Sequence, residues 1–347
     1  MERETKFYLV DAFTSTRFQG NPAGVVISSR PLTEPEMFDV AAEVHLETAF
    51  LWPVVNARGQ QRGGLPAAYS ICYYTHLARI PLCGHDTIAT GVVLAHRGEL
   101  AAPGTRVEDT QFGMPGGSPA MSRSTSPSQS ASTGWRRGGE GDIPSRIVFK
   151  SDIGDLPIEI MPDGAVMMRQ GLPQYADECD ASAVLMAMGL SSSRLTDHPI
   201  RVVSTGTPFL FVGVDSTRSV DMLTPDMPAL KNAISNLPGS TVAGVYVWAD
   251  DRLGRTQTIY ARCFAPGAGL NEDPVTGSAS GALGAHLFDL GLVRGAVDGT
   301  VSVQTTQGRA MGRPGHAHVT LIAADRRVNS VSVSGHAVIV GEGTLYL

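Results

Sequence analysis

Glycine recurs at a seven-residue spacing in two places: Gly84, Gly91 and Gly98, and again Gly277, Gly284 and Gly291. Seven residues is close to two helical turns, so each series predicts one face of a helix. A helix-interior glycine costs about 1 kcal/mol relative to alanine. A helix that carries such a stripe is therefore expected to pack very closely on something, here the matching helix of the other half. The turn-forming Gly20-Asn21-Pro22 and its echo Gly206-Thr207-Pro208 each precede an apolar run, at a similar distance before the two glycine series. Together these echoes predict a duplicated lobe. Each glycine helix is expected to start at the interface between lobes. Two helix N-termini would then offer free N–H groups and positive dipole ends to one cleft, a pocket suited to a carboxylate.

The remaining pattern is consistent with two compact lobes. Phe7 to Ile27 reads as two apolar runs broken by the Gly20 turn. Thr33 is the N-cap of a helix, with Glu36 as its capping-box partner. Met37, Val40, Ala41 and Val44 lie on one helical face, and the helix should end near His45. Strands are expected at Ala49–Trp52, Ser70–Tyr74, Pro157–Ile160, Val166–Arg169, Val202–Val214 and Ile259–Phe264, with a helix over 181–190. The domain reading is residues 1–103 for the first lobe, 104–145 for a flexible insertion or linker and 146–325 for the second lobe. Residues 326–347 are closing strands that are candidates to return to the first lobe. The insertion is assigned from composition: between Gly116 and Gly141 nearly every residue is Ser, Gly, Pro, Thr, Arg or Ala. Such a stretch buries too little apolar surface to offset its ordering entropy.

Composition removes several functions. A net charge of −6 argues against nucleic acid as a partner. Lys6, Lys150 and Lys231 are the only lysines, and none sits where a pyridoxal Schiff base would need it. Cys72, Cys83, Cys179 and Cys263 form no CxxC pair, which speaks against structural zinc and for reduced thiols. No GxGxxG joins a strand to a helix, so hydride transfer on a dinucleotide is not indicated. There is no leader-like N-terminus and no apolar run of about 20 residues, so a cytoplasmic protein without membrane contact is expected.

Three titratable groups mark the helix starts. Glu47 follows the first capped helix, His85 opens the first glycine helix, and Asp273 stands just before the second. Moving a proton between carbons needs an acid and a base placed across the substrate. Each residue alone has an ordinary alternative: a solvated glutamate, a histidine bonded to a carbonyl, an aspartate capping a turn.

Taken together, the motifs resemble the phenazine-biosynthesis PhzF-like family, within the diaminopimelate epimerase and proline racemase superfamily. The resemblance is carried by Val10-Asp11-Ala12-Phe13 with Gly20-Asn21-Pro22-Ala23, by Ala41 to Phe50, and by the paired anchors Cys83-Gly84-His85-Asp86-Thr87 and Glu272-Asp273-Pro274-Val275-Thr276-Gly277-Ser278. It implies an α+β fold of two pseudo-symmetric lobes, each a curved, mostly antiparallel sheet wrapped around a central helix. It also implies a homodimer, no metal and no organic cofactor. The implied activity is a cofactor-independent isomerase or epimerase acting on a small carboxylate, of amino- or hydroxy-acid type. By the same resemblance Glu47, His85 and Asp273 are catalytic, and Gly84, Asp86, Thr276, Gly277 and Ser278 bind substrate.

The chain departs from the family pattern in three places. Leu46 meets Glu47 with no intervening serine, Arg79 stands where a glutamate is usual, and Asp86 stands where an alanine is usual. Arg79 and Asp86 either pair with each other or read a charged substrate. Two other functions remain open from the residues. One is a proline racemase-like or hydroxyproline dehydratase-like enzyme in which Cys83, opposite Thr276, is the base. The other is a non-catalytic binder of small carboxylates.

Overall fold

The computed structural model describes residues 4–54, 68–100, 144–237, 241–250, 257–293, 295 and 299–347. The insertion read over 104–145 lies outside these residues except at its end, where Ser145 already belongs to a strand.

The first part of the chain builds β1 (Glu4–Ala12), β2 (Asn21–Ile27), α1 (Glu34–Val44), β3 (Thr48–Pro53), β4 (Ala68–Tyr74), β5 (Arg79–Ile80), α2 (Gly84–His96), β6 (Ser145–Ser151), β7 (Gly154–Ile160) and β8 (Val166–Gln170). Then follow β9 (Gln174–Glu178), α3 (Ser182–Ala187), β10 (Arg201–Ser204), β11 (Pro208–Gly213), α4 (Thr217–Asp221), α5 (Met227–Ser235), β12 (Gly244–Asp250) and β13 (Thr258–Phe264). The chain closes with α6 (Gly277–Asp289), β14 (Thr300–Gln307), β15 (Gly315–Ala324), β16 (Arg327–Gly335) and β17 (Ala337–Tyr346).

Strand pairing reveals the duplication. One half runs β17-β1-β2-β3-β4-β6-β7-β8 and the other β9-β10-β11-β12-β13-β14-β15-β16. Each has the same succession of senses, with parallel pairs only at β2/β3 and β4/β6 in the first half and at β11/β12 and β13/β14 in the second. The halves join through antiparallel β8 and β16. The chain crosses over symmetrically: β9 leaves β8 to join β10, and β17 leaves β16 to join β1. Strands 145–170, which the sequence reading counts with the second lobe, pair with β4 and cover α2. Hydrogen bonding to β4 places them there, a long-range choice that no local pattern encodes.

Each lobe wraps its sheet around one helix. Residues 85–94 of α2 are all buried, and α6 is buried along nearly its whole length. A helix buried on every side needs such an enclosure. The outer faces are covered separately. Met37, Val40 and Ala41 of α1 pack on Val26, Phe50, Cys72 and Tyr74. In β2, Val25 points to the inner core and Val26 to this outer cluster, the period-two alternation of a strand. The capping box is present: the Thr33 side chain accepts from the Glu36 N–H, and Glu36 accepts from the Thr33 N–H at 2.7 Å.

The glycine series proves to be three devices. Gly84 and Gly277 open the helices. Gly98 and Gly291 end them in the left-handed region, at φ 68° and 72°. Within the series, Gly91 and Gly284 are the close-packing positions inside the helices, and their neighbours are strands, not the opposite helix. An added Cβ would stand 2.7 Å from Val166 Cγ1 of β8 at Gly91, and 2.7 Å from Val319 Cγ1 of β15 at Gly284. The expected helix-on-helix stripe is thus corrected: the enclosing sheet reaches the helix first. Gly91→Ala is expected to lower stability by about 1–2 kcal/mol, overpacking outweighing the gain in helix propensity. Urea unfolding measures this, and adding Val166→Ala should recover part of the loss. A stabilised Gly91→Ala protein would refute the packing account.

Candidate active site

The two lobes meet where α2 and α6 begin. Phe13, just past β1, lies against the start of α6, and a Cβ at Gly277 would come within 2.9 Å of its ring. Neither Cys83, the N-cap of α2, nor Thr276, the N-cap of α6, caps its helix with a side chain. The first-turn N–H groups at Gly84 and Gly277 are thus left for other acceptors. Thr87 and Ser280, one turn in, occupy equivalent places and each donates to its own N-cap carbonyl, at 2.7 and 2.8 Å. Ser278 stands half-buried in the first turn of α6.

Local geometry delivers Glu47. His45 closes α1 at φ 53° and turns the chain toward β3. The Glu47 carbonyl then accepts from the Gly24 N–H at 2.9 Å, which fixes the residue at the head of β3. Its carboxyl faces Cys83 and His85: Oε2 lies 3.3 Å from Cys83 Sγ and 3.4 Å from His85 Nε2. Cys83 Sγ also lies 3.3 Å from His85 Nδ1.

Asp273 comes from the other lobe. Its N–H donates to the Cys263 carbonyl at 3.0 Å, and Pro274 follows. The preceding Glu272 is forked by Arg262, at 2.8 Å on each oxygen. Arg262 also donates to the carbonyls of Val220 and Leu223, so the loop is tied to the sheet. The Asp273 carboxyl accepts from Asn21 Nδ2 of the first lobe at 2.7 Å and from Thr276 Oγ1 at 2.6 Å. Gln307 Nε2 donates to the Asp273 carbonyl and to Thr276 Oγ1, at 2.6 and 3.0 Å. Arg313 in turn holds the Gly20 turn through the Gly20 and Gln19 carbonyls and the Asp11 carboxyl. Sequence reading sees Asn21 only as a turn residue and does not single out Gln307, Arg262 or Arg313. Asn21 lay inside a noted motif; the others carry no local signal.

The electrostatics separate the groups. Burial, then the charge of Glu47, pushes the Asp273 carboxyl up to about 7, against the hydrogen bonds from Thr276 and Asn21. Burial pushes the Cys83 thiol well up, with Asp86 and Glu47 adding to it. Burial lowers His85, opposed by Glu47 and by the Pro22 carbonyl. Asp86 is fully buried and driven well up by burial and then by Glu47, opposed in part by the Cys83 side chain. Asp86 does not pair with Arg79, which is forked on Asp152 at 2.8 and 2.6 Å. Donor atoms of Glu47, Cys83 and His85 lie within 4.8 Å of one another. They already touch one another, and burial holds the Cys83 thiol toward its protonated form, which is the poorer metal ligand. A separate hollow of about 470 Å³, lined by Thr196, His198, Trp248 and Leu292 among others, contains none of these groups.

What this arrangement can do is hold a carboxylate at two helix starts, with a base from one lobe and a protonated acid from the other. No helix among the described residues is long and apolar enough to cross a membrane. All four cysteines are free.

Comparison with known proteins agrees with this geometry. The model of the phenazine biosynthesis-like protein family, PhzC-PhzF, matches residues 10–124 and 138–343. The uncharacterized isomerase YddE of Escherichia coli is 31% identical over 339 residues, covering 96% of this chain and 95% of its own. The trans-2,3-dihydro-3-hydroxyanthranilate isomerase of Pseudomonas aeruginosa is 26% identical over 347 residues, covering 99% of each chain. The crystal structure of a PhzF-family protein of Bacillus anthracis has the same fold, with a TM-score of 0.72 at 24% identity, over 99% of this chain and 100% of that one. The chain therefore belongs to the phenazine biosynthesis-like protein family, and with it to the isomerases.

Proposed function

We propose that this isomerase moves a single proton on a small amino- or hydroxy-carboxylate. Glu47 is the base that removes and returns the proton, Asp273 the acid across the cleft, and His85 the partner that orients Glu47. The observation that carries the reading is the unlike pair. Asp273 is buried and held up to about 7, while Glu47, one-fifth exposed at its side chain, faces it from the other lobe and acts on its charge. Two carboxyls with different environments divide acid from base. The substrate carboxylate is taken by the N–H groups at Gly84 and Gly277, with Ser278 and Thr276 at the rim. A cytoplasmic homodimer belongs to the same reading.

The test is NMR of candidate substrates in deuterated water, beginning with trans-2,3-dihydro-3-hydroxyanthranilate, on which the Pseudomonas relative acts by name, and extending to hydroxyprolines and cyclic amino-hydroxy acids. Enzyme-dependent deuterium at one carbon, lost in Glu47→Gln, supports the reading. Tight binding of a panel member with no isomerisation and no exchange would favour the non-catalytic binder instead.

Cys83 gives a further prediction. Its thiol is buried and kept protonated, and Thr276 is already bound to Asp273. Cys83→Ser is therefore expected to keep turnover within about tenfold, well inside the loss that follows removal of a general base. A loss as large as that of Glu47→Gln would restore the cysteine mechanism.

A further inference from the structure

Asp86 is the residue in this cluster that the mechanism above leaves unused. It stands at the third position of α2, and neither carboxyl oxygen has a hydrogen-bond partner or solvent access among the described residues. The equivalent position in α6 is Ala279, so the second lobe has no such group. A ligand in the cleft meets Glu47, whose side chain is 21% exposed, but not Asp86, whose side chain is 0% exposed. Direct substrate contact, expected from the sequence, is therefore not what this placement offers.

Its neighbours decide its role. Asp86 Oδ1 lies 3.4 Å from His85 Nε2, the same nitrogen that lies 3.4 Å from Glu47 Oε2. The titratable groups that face it are Glu47 at the head of β3, Cys83 and His85 on its own turn, and Tyr73 of β4. None is a lysine or arginine. A buried carboxylate with no lysine or arginine beside it is strongly disfavoured, the Cys83 thiol offsetting only part of that cost, and two carboxylates on one ring nitrogen repel each other. The proton between Asp86 and His85 also has a clear owner, because burial raises the acid and lowers the imidazole.

We infer that Asp86 is a positioning residue: a neutral carboxylic acid, within reach of His85 Nε2, that leaves Glu47 as the only negative charge of the Glu47–Cys83–His85 cluster. This rests on the reading of Glu47 as the base, though its test does not. A neutral Asp86 keeps the imidazole from being charged beside Glu47 and so from quenching it in an ion pair.

Infrared difference spectroscopy at pH 7 reads the proton directly and needs no substrate. Wild type minus Asp86→Asn should show the loss of one protonated-carboxyl C=O band. Wild type minus Glu47→Gln should show the loss of a carboxylate band. If Asp86→Asn removes a carboxylate band, or Glu47→Gln removes the protonated one, the inference is overturned. Asn is close in shape to the neutral acid, and Asp86→Ala gives the same reading if the Asn variant folds poorly. A purely packing role would leave the NMR shifts of the His85 ring nitrogens unchanged in Asp86→Ala, and that result equally overturns the inference. If Glu47→Gln keeps normal deuterium exchange, the proposed mechanism fails while the infrared assignment of Asp86 still stands or falls alone.

Discussion

Glu47→Gln is expected to reduce turnover by about 10²–10⁴-fold while leaving substrate binding nearly unchanged. Glutamine keeps the shape of the side chain and can still meet Cys83 Sγ and His85, so the fold at the head of β3 should survive. What it loses is the ability to take a proton from carbon and give it back. Single-turnover deuterium exchange and a binding titration with the same compound separate the two effects. There is a second consequence across the cleft. The charge of Glu47 helps hold Asp273 up, so the variant should let Asp273 ionise at lower pH, visible in the NMR titration of its carboxyl carbon. A Glu47→Gln protein with near-normal turnover would remove the basis of the proposed function.

The second large effect concerns Asp273 and pH. Its folded value is raised from 3.8 to about 7, so the native state binds this proton more tightly than the unfolded chain. Stability from this group is then fully present below about 4 and declines as pH rises toward 7. Above 7 the buried carboxylate remains a cost, on the order of a few kcal/mol. If the protonated form is the working acid, kcat/KM should fall about tenfold per pH unit above 7. Asp273→Asn should remove both behaviours. The variant is expected to lose activity by about 10²–10³-fold, to lose the basic limb of any residual rate, and to become the more stable protein at pH 8. Thermal unfolding at pH 5 and pH 8, with and without the substitution, checks the sign. A variant less stable than wild type at pH 8, with its basic limb intact, would contradict the acid role.

The carboxyls divide unequally between two similar lobes. The stretches Ile80-Pro81-Leu82-Cys83-Gly84 and Asp273-Pro274-Val275-Thr276-Gly277 stand at equivalent places before the two helices. Asp273 exists only in the second. Glu47 precedes β3, while Ala243 precedes the equivalent β12. Duplication supplies two helix starts of one design, and the carboxyls of Glu47 and Asp273 stand where the copies differ.

Much of this was legible in the sequence. The glycine series, the capped α1 and the motifs around Glu47, His85 and Asp273 are local signals. Helix stops, capping boxes and turn residues act within a few positions of themselves. They fix where each helix begins and ends and which titratable groups stand at the starts. What only the tertiary structure decided is long-range. Hydrogen bonding between distant strands put 145–170 with the first lobe and returned β17 to β1. The enclosing sheet, not the second helix, met Gly91 and Gly284. Asn21 reached Asp273 across 252 positions, and Arg79 turned to Asp152 and away from Asp86. Burial, which no spacing reveals, raised the Asp273 carboxyl to about 7 and left Asp86 without solvent access. A sequence records which groups a chain owns, but desolvation and neighbouring charge set their protonation, and both exist only once the lobes have closed on one another.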